Sequence, residues 1–178
     1  DMSKVESGHI LLTDEEFDMG ELLQSVITMV QTSVSQKFQD FRVHLFQVKH
    51  EKLIGDVQRI QQVLLNLLSN AIKYTPDYGK ITLEIREKPI KNGNYGLFEV
   101  TVIDNGIGIK PDFLHKVFEP FERAEDATQR NIQGTGLGMA ISRNIAHMMN
   151  GEIQVESEYG KGSVFTFTMQ LKLQDQGC

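Results

Sequence analysis

Residues 56–74 restrict the fold more than any other segment. Val57, Ile60, Val63, Leu64, Leu67, Leu68 and Ile72 recur at helical spacing behind Asp56, a capping residue type that follows Gly55. The pair Thr75-Pro76 ends the run, because a residue before proline disfavours the helical region. A helix with so wide an apolar stripe needs an apolar layer to cover it. Two stretches with strand-like alternation follow at once, Lys80–Lys88 with Ile81, Leu83 and Ile85 on one face, and Leu97–Ile103. The loop Lys91-Asn92-Gly93-Asn94 between them suits an antiparallel hairpin.

The flanking segments repeat the pattern. Met19, Leu22, Leu23, Val26, Ile27, Met29, Val30 and Val34 predict a helix from Phe17 to about Lys37, with Asp18 and Glu21 at capping-box spacing. Val43–Lys49 reads as a short strand. A helix is expected over Leu137–Met149, ended by Asn150-Gly151. Strands follow at Glu152–Ser157 and Ser163–Leu171, around the turn Tyr159-Gly160-Lys161-Gly162. Between Asp104 and Gly134 lies an irregular stretch broken only by an apolar segment around Phe113–Phe118, and loops this long in compact domains are usually functional. The expected fold is a two-layer α/β (α+β) sandwich, three helices on one face of a mixed, mostly antiparallel sheet of about five strands.

Composition removes several function classes. The net charge of -6 leaves no basic footprint for nucleic acid and no broad attraction to anionic lipid. No run approaches the roughly 18 apolar residues of a membrane span, and no signal peptide opens the chain. The single cysteine, Cys178, can close no internal disulfide, which points to a reducing compartment. The start at Asp1 suggests a piece of a longer protein.

Four clusters carry possible chemistry. On the second helix, Asn66, Asn70 and either Lys73 or Tyr74 share one face. An amide oxygen is a hard neutral ligand suited to magnesium, and a lysine one turn on would oppose phosphate charge; a solvated helix face is the alternative. Asp104-Asn105-Gly106-Ile107-Gly108-Ile109 follows a strand, so its carboxylate can accept from an exocyclic amine while the glycines admit a flat base; a tight turn is the alternative. Phe118-Glu119-Pro120-Phe121-Glu122-Arg123 offers two phenylalanines to pin a lid and an arginine for phosphate, or simple loop packing. Gly134-Thr135-Gly136-Leu137-Gly138-Met139 runs into a helix and would expose N–H groups at its positive end, or serve as a hinge. It is neither a dinucleotide fingerprint nor a Walker loop.

Together, in this order, the clusters resemble the N box, first glycine box, F box and second glycine box of sensor histidine kinases. These belong to the superfamily that also holds gyrase, mismatch-repair and heat-shock chaperone ATPases, known for the Bergerat fold. Gly160-Lys161-Gly162-Ser163-Val164-Phe165 resembles the closing element of that family.

The resemblance implies ATP and magnesium as cofactors. It assigns Asp104 to the adenine amine, with Gly106, Gly108 and Ile109 beside the base, and Asn70 to magnesium, with Asn66 one turn earlier. Lys73, Tyr74 and Arg123 fall near phosphates or ribose, Phe118 and Phe121 at the lid. Gly134, Thr135, Gly136, Leu137 and Gly138 fall where the lid closes, and Ser163 in the place of a hydroxyl that helps bind adenine. Hydrolysing relatives carry a glutamate where Asn66 stands, and an amide has no useful basicity, so phosphoryl transfer is expected over hydrolysis. A nucleotide-binding module without catalysis and a hydrolysing ATPase are the alternatives.

None of His9, His44, His50, His115 or His147 has the surroundings of a phosphoacceptor. Residues 1–12 resemble the tail of an upstream dimerisation helix that would carry that histidine, 13–173 the catalytic domain, and 174–178 a tail. By resemblance the piece is a monomer unable to phosphorylate itself, from a homodimeric, cytoplasm-facing parent that passes phosphate to a response regulator or receiver domain. No nucleic acid or direct membrane contact is expected.

Overall fold

The computed structural model describes residues 12–88, 90, 93–114, 116–118 and 138–174. In chain order the elements are β1 (Glu15–Asp18), α1 (Met19–Gln36), β2 (Asp40–Phe46), β3 (Lys52–Gly55), α2 (Val57–Tyr74), β4 (Lys80–Lys88), β5 (Tyr95–Asp104), α3 (Pro111–Leu114), α4 (Gly138–Met148), β6 (Ile153–Glu158) and β7 (Gly162–Leu173). Among the described residues the sheet has seven strands rather than about five, in the order β1-β3-β7-β5-β4-β2, with β6 also paired to β7. Only β2 and β4 run parallel among the pairs described.

Both long-helix starts are capped as their sequences predict. Asp18 accepts from Glu21 N–H at 3.1 Å, and Asp56 accepts from Arg59 N–H at 3.2 Å, each satisfying a first-turn donor that no carbonyl can reach. Thr75 is extended, as the following proline requires.

Strand alternation then sorts side chains between two faces. Ile85, Val100, Phe167 and Ile153 stand opposite one another across β4, β5, β7 and β6, and Leu83, Val102, Phe165 and Val155 form the next row. These rows form one core with Leu64, Leu67 and Leu68 of α2, Val26 and Val30 of α1, and Ile145 of α4. The intervening residues of β5 and β7 are half-exposed, so the other face of the sheet is open. The two-layer expectation holds, with α3 as a short addition.

The third row breaks the chemistry but not the geometry. Ile81, Asp104, Ser163 and Ser157 stand opposite one another on the same face. Polar groups thus replace apolar ones where the core reaches the end of the sheet.

Candidate functional site

Asp104 is the last residue of β5, with 9% of its surface exposed. Its side chain accepts from the N–H of Gly106 at 2.9 Å, and the backbone N–H of Ser163 also binds it. Burial raises its pKa above the ordinary carboxylate value, and these two donors only partly oppose that rise. The result is a carboxylate that has lost much of its water and keeps acceptor capacity to spare.

The chain after Asp104 is threaded through close backbone contacts. A Cβ on Gly106 would lie 2.3 Å from the Tyr74 carbonyl oxygen, and Ile107 N–H donates to that same oxygen at 3.1 Å. Gly108 adopts φ 75°, and its Cβ would lie 2.3 Å from the Glu158 carbonyl oxygen. Ile107 accepts from Gly160 N–H at 2.6 Å, and Ile109 N–H donates to Ser157 Oγ at 2.8 Å. The glycine loop is therefore held between the end of α2 and the β6–β7 turn.

The end of α2 is itself held from the turn that follows α1. Lys37 Nζ donates to the Ile72 carbonyl at 2.8 Å, and Gln39 Nε2 donates to Ile72 and Thr75 carbonyls at 3.1 and 2.8 Å. These bonds satisfy carbonyls that a helix end leaves orphaned.

Asn66 and Asn70 lie one turn apart on α2, both half-buried, with Lys73 exposed and Tyr74 half-buried beyond them. Asn66 Nδ2 donates to Ser142 Oγ on α4 at 3.0 Å. Among the described residues no group of three His, Cys, Asp or Glu is placed to hold a metal. Magnesium binds through one or two protein oxygens plus phosphates and water, so a lone amide oxygen at Asn70 fits its donor preference.

Phe118 lies under the guanidinium of Arg143 at 4.8 Å, and Arg143 Nε is bound to Glu152 at 2.8 Å. Gly138 opens α4. Phe121, Arg123, Gly134, Thr135, Gly136 and Leu137 lie outside the described residues. So the structure gathers Tyr74, Asp104, Gly106, Gly108, Ile109 and Ser163 at one end of the sheet, and places Asn66 against α4. Ser142, Arg143 and Ser157 stand in none of the four sequence clusters; tertiary contacts bring them against Asn66, Phe118 and Ile109 respectively.

A family model described as histidine kinase-, DNA gyrase B-, and HSP90-like ATPase matches residues 55–173. Sensor histidine kinase RcsC of Salmonella typhimurium is 38% identical over 171 residues, 96% of this chain and 17% of that protein. Hybrid signal transduction histidine kinase B of Dictyostelium discoideum is 35% identical over 169 residues, 95% of this chain and 8% of that protein. The chain thus spans under a fifth of these relatives' lengths. The catalytic domain of histidine kinase ThkA superposes with TM-score 0.71 at 29% identity, covering 90% of this chain and 98% of that one. Full-length ShkA in complex with AMPPNP gives TM-score 0.73 at 27% identity, covering 93% and 32%.

Proposed function

The chain belongs to the histidine kinase-, gyrase B- and HSP90-like ATPases, as a histidine kinase catalytic, ATP-binding domain, and from that premise we propose its mechanism and partners. It binds Mg-ATP at the end of β5 and places the γ-phosphoryl group for transfer to a histidine of an upstream dimerisation domain. The observation that carries the proposal is the buried Asp104, a desolvated acceptor where the core rows give way to polar groups.

Each group then has a role that follows from its chemistry. Asp104 accepts an N–H of the adenine amine, and a charged acceptor shielded from water makes that bond strong. Gly106 and Gly108 keep the loop against Tyr74 and Glu158, so the base meets backbone rather than side chains. Lys73 and Arg123 offset phosphate charge. Asn70 would hold magnesium, which supplies further charge neutralisation on the phosphates when bound. By resemblance to the family's boxes, the lid over the triphosphate is assigned to Phe118 and Phe121 with Gly134, Thr135, Gly136, Leu137 and Gly138.

In the transfer, a ring nitrogen of the acceptor histidine bonds to the γ-phosphorus. The bond to the bridging oxygen breaks, and its electron pair leaves on ADP. The protein's contribution is positioning and charge neutralisation. Asn66 supports transfer over hydrolysis, because its amide donates to Ser142 and has no basicity with which to activate water. The phosphoryl group passes on to a response regulator; a solved complex of ThkA with its response regulator TrrA, 26% identical to this chain, is in keeping with that. Residues 13–173 make up the catalytic domain, a monomer when isolated, and the parent is a homodimer with this domain in the cytoplasm. No helix among the described residues is long and apolar enough to cross a membrane.

The test is a titration with a non-hydrolysable ATP analogue, with and without magnesium, on wild type and Asp104→Asn. Magnesium-dependent binding that the variant loses supports the assignment. A folded wild type that does not bind ends it, and substantial ADP release from ATP by the chain alone ends the preference for transfer.

A further inference from the structure

The row Asp104, Ser163, Ser157 carries more information than the position of one carboxylate. Ser157 Oγ makes three contacts: it accepts from Ile109 N–H at 2.8 Å, lies 3.0 Å from the Gly162 carbonyl oxygen, and lies 2.8 Å from Ser163 Oγ. A serine hydroxyl has one proton to give and two lone pairs to fill. The Gly162 carbonyl can only accept, so the Ser157 proton goes there. The Ile109 N–H takes one lone pair, and the other is left for a proton from Ser163. This assignment alone makes all three contacts into hydrogen bonds.

The consequence falls on Ser163. Its single proton points back at Ser157, so towards its other neighbours Ser163 Oγ offers only lone pairs. Ser163 stands directly opposite Asp104, on the same face of the sheet, and is 7% exposed. Its own backbone N–H lies beside the Asp104 side chain and favours the charged form of that carboxylate. The end of the row therefore presents acceptors side by side, a carboxylate and a hydroxyl whose proton is turned away.

We propose that Ser157 is a specificity-determining positioning residue, which fixes the Ser163 hydroxyl as an acceptor and so makes the site select a base edge bearing an amine over one bearing a carbonyl. This rests on the nucleotide site proposed above and deepens it. A 6-amino purine, or a water that it orients, gives protons to both acceptors. A 6-oxo purine sets its own carbonyl oxygen against them and finds no donor. Losing Ser157 frees the Ser163 hydroxyl to turn and donate, which removes part of that discrimination.

The experiment compares dissociation constants for a non-hydrolysable ATP analogue and its hypoxanthine counterpart, the latter by competition. Wild type, Ser157→Ala, Ser157→Thr, Ser163→Ala and the double alanine variant are measured. The ratio favouring the amine should fall roughly fivefold in Ser157→Ala, the scale of one neutral hydrogen bond. It should be retained in Ser157→Thr, which keeps the hydroxyl. The double variant should discriminate no worse than Ser163→Ala, since Ser157 acts only through Ser163. A Ser157→Ala protein that loses affinity for both analogues equally overturns the proposal and leaves Ser157 as support for the glycine loop. If Ser157→Ala does not fold, an undiminished ratio in Ser163→Ala overturns it as well. Wild type that binds neither analogue overturns the nucleotide site itself, a separate outcome.

Discussion

Asn66 and Ser142 join the two helices that border the proposed site, the amide of α2 donating to the hydroxyl of α4 across 3.0 Å. Ser142 is 1% exposed, so its hydroxyl is shielded from water if Asn66 is lost, whereas the half-buried Asn66 amide keeps some access to solvent. Asn66→Ala and Ser142→Ala should each destabilise the fold by about 1–2 kcal/mol, with a coupling of about 0.5–1.5 kcal/mol between them. Urea melts of the two single variants and the double variant measure this. Strict additivity would show that the pair contributes nothing jointly.

Asp104 makes opposite demands on binding and on stability. Its folded-state pKa is raised by burial, so the folded chain holds that proton more readily than the unfolded chain does. Stability from the neutral carboxyl is present below the unfolded value of 3.8 and is lost as pH rises through the higher folded value. Near neutral pH, Asp104→Asn should therefore cost little thermal stability while weakening the ATP analogue by about 10–100-fold. In wild type, affinity should decline as pH falls through the raised pKa, whereas the variant should show no such decline. Thermal melts without nucleotide and titrations from pH 4 upward test both halves.

Gly108 and Gly160 both have positive φ, 75° and 90°, but differ in what surrounds them. An added Cβ at Gly108 would meet the Glu158 carbonyl oxygen, whereas at Gly160 nothing lies within 4 Å. Gly160→Ala should cost only the backbone term, about 1–2 kcal/mol. Gly108→Ala should cost clearly more and should also weaken nucleotide binding, because the loop must move away from β6. Equal melting temperatures for the two variants would contradict the close approach.

Glu152 gathers four donors: Arg143 Nε and Nη2, the Ile153 N–H and His147 Nε2. Led by the Arg143 bond, they lower its pKa from 4.5 to about 2. A depressed folded-state pKa gives stability that is present above 4.5 and lost as pH falls from there through about 2. The side chains are more than a third exposed, so the pair with Arg143 contributes at most about 1 kcal/mol. Glu152→Gln should flatten the acid limb of the stability curve over that window, and denaturation followed at several pH values reads it. An unchanged acid limb would locate the titrating groups elsewhere.

Long elements were legible in the sequence because their periods are long enough to see. The α2 boundary at Asp56 and the full span of β4 match the pattern, since capping, proline and alternation agree there. β1 and β3 were not legible: four residues each, Glu15–Asp18 and Lys52–Gly55, are too few for alternation to stand out. They are strands because β7 runs on to Leu173 and offers Leu173 and Lys172 as partners to Leu53 and Ile54. At the site, Asp104 and the glycines could be recognised as a local motif. Ser142 and Ser157 could not, because a serine within a helix or before a turn gains meaning only from what the tertiary register places opposite it.

The pairing of β3 with the last residues of β7 governs when the domain becomes complete. Gln174 Nε2 donates to the carbonyls of Phe17 and Leu53, so segments more than a hundred residues apart in sequence are joined there. Contacts this distant carry a high loop-closure entropy and form late. During synthesis β1 and β3 form a two-stranded ribbon, too small to be stable alone, until residues 172–174 have left the ribosome. The glycine loop after Asp104, by contrast, needs β7 from Gly162 onward and is assembled at the opposite end of that strand. One strand therefore completes both the site and the remote edge of the sheet, and cotranslational folding must deliver the two nearly together.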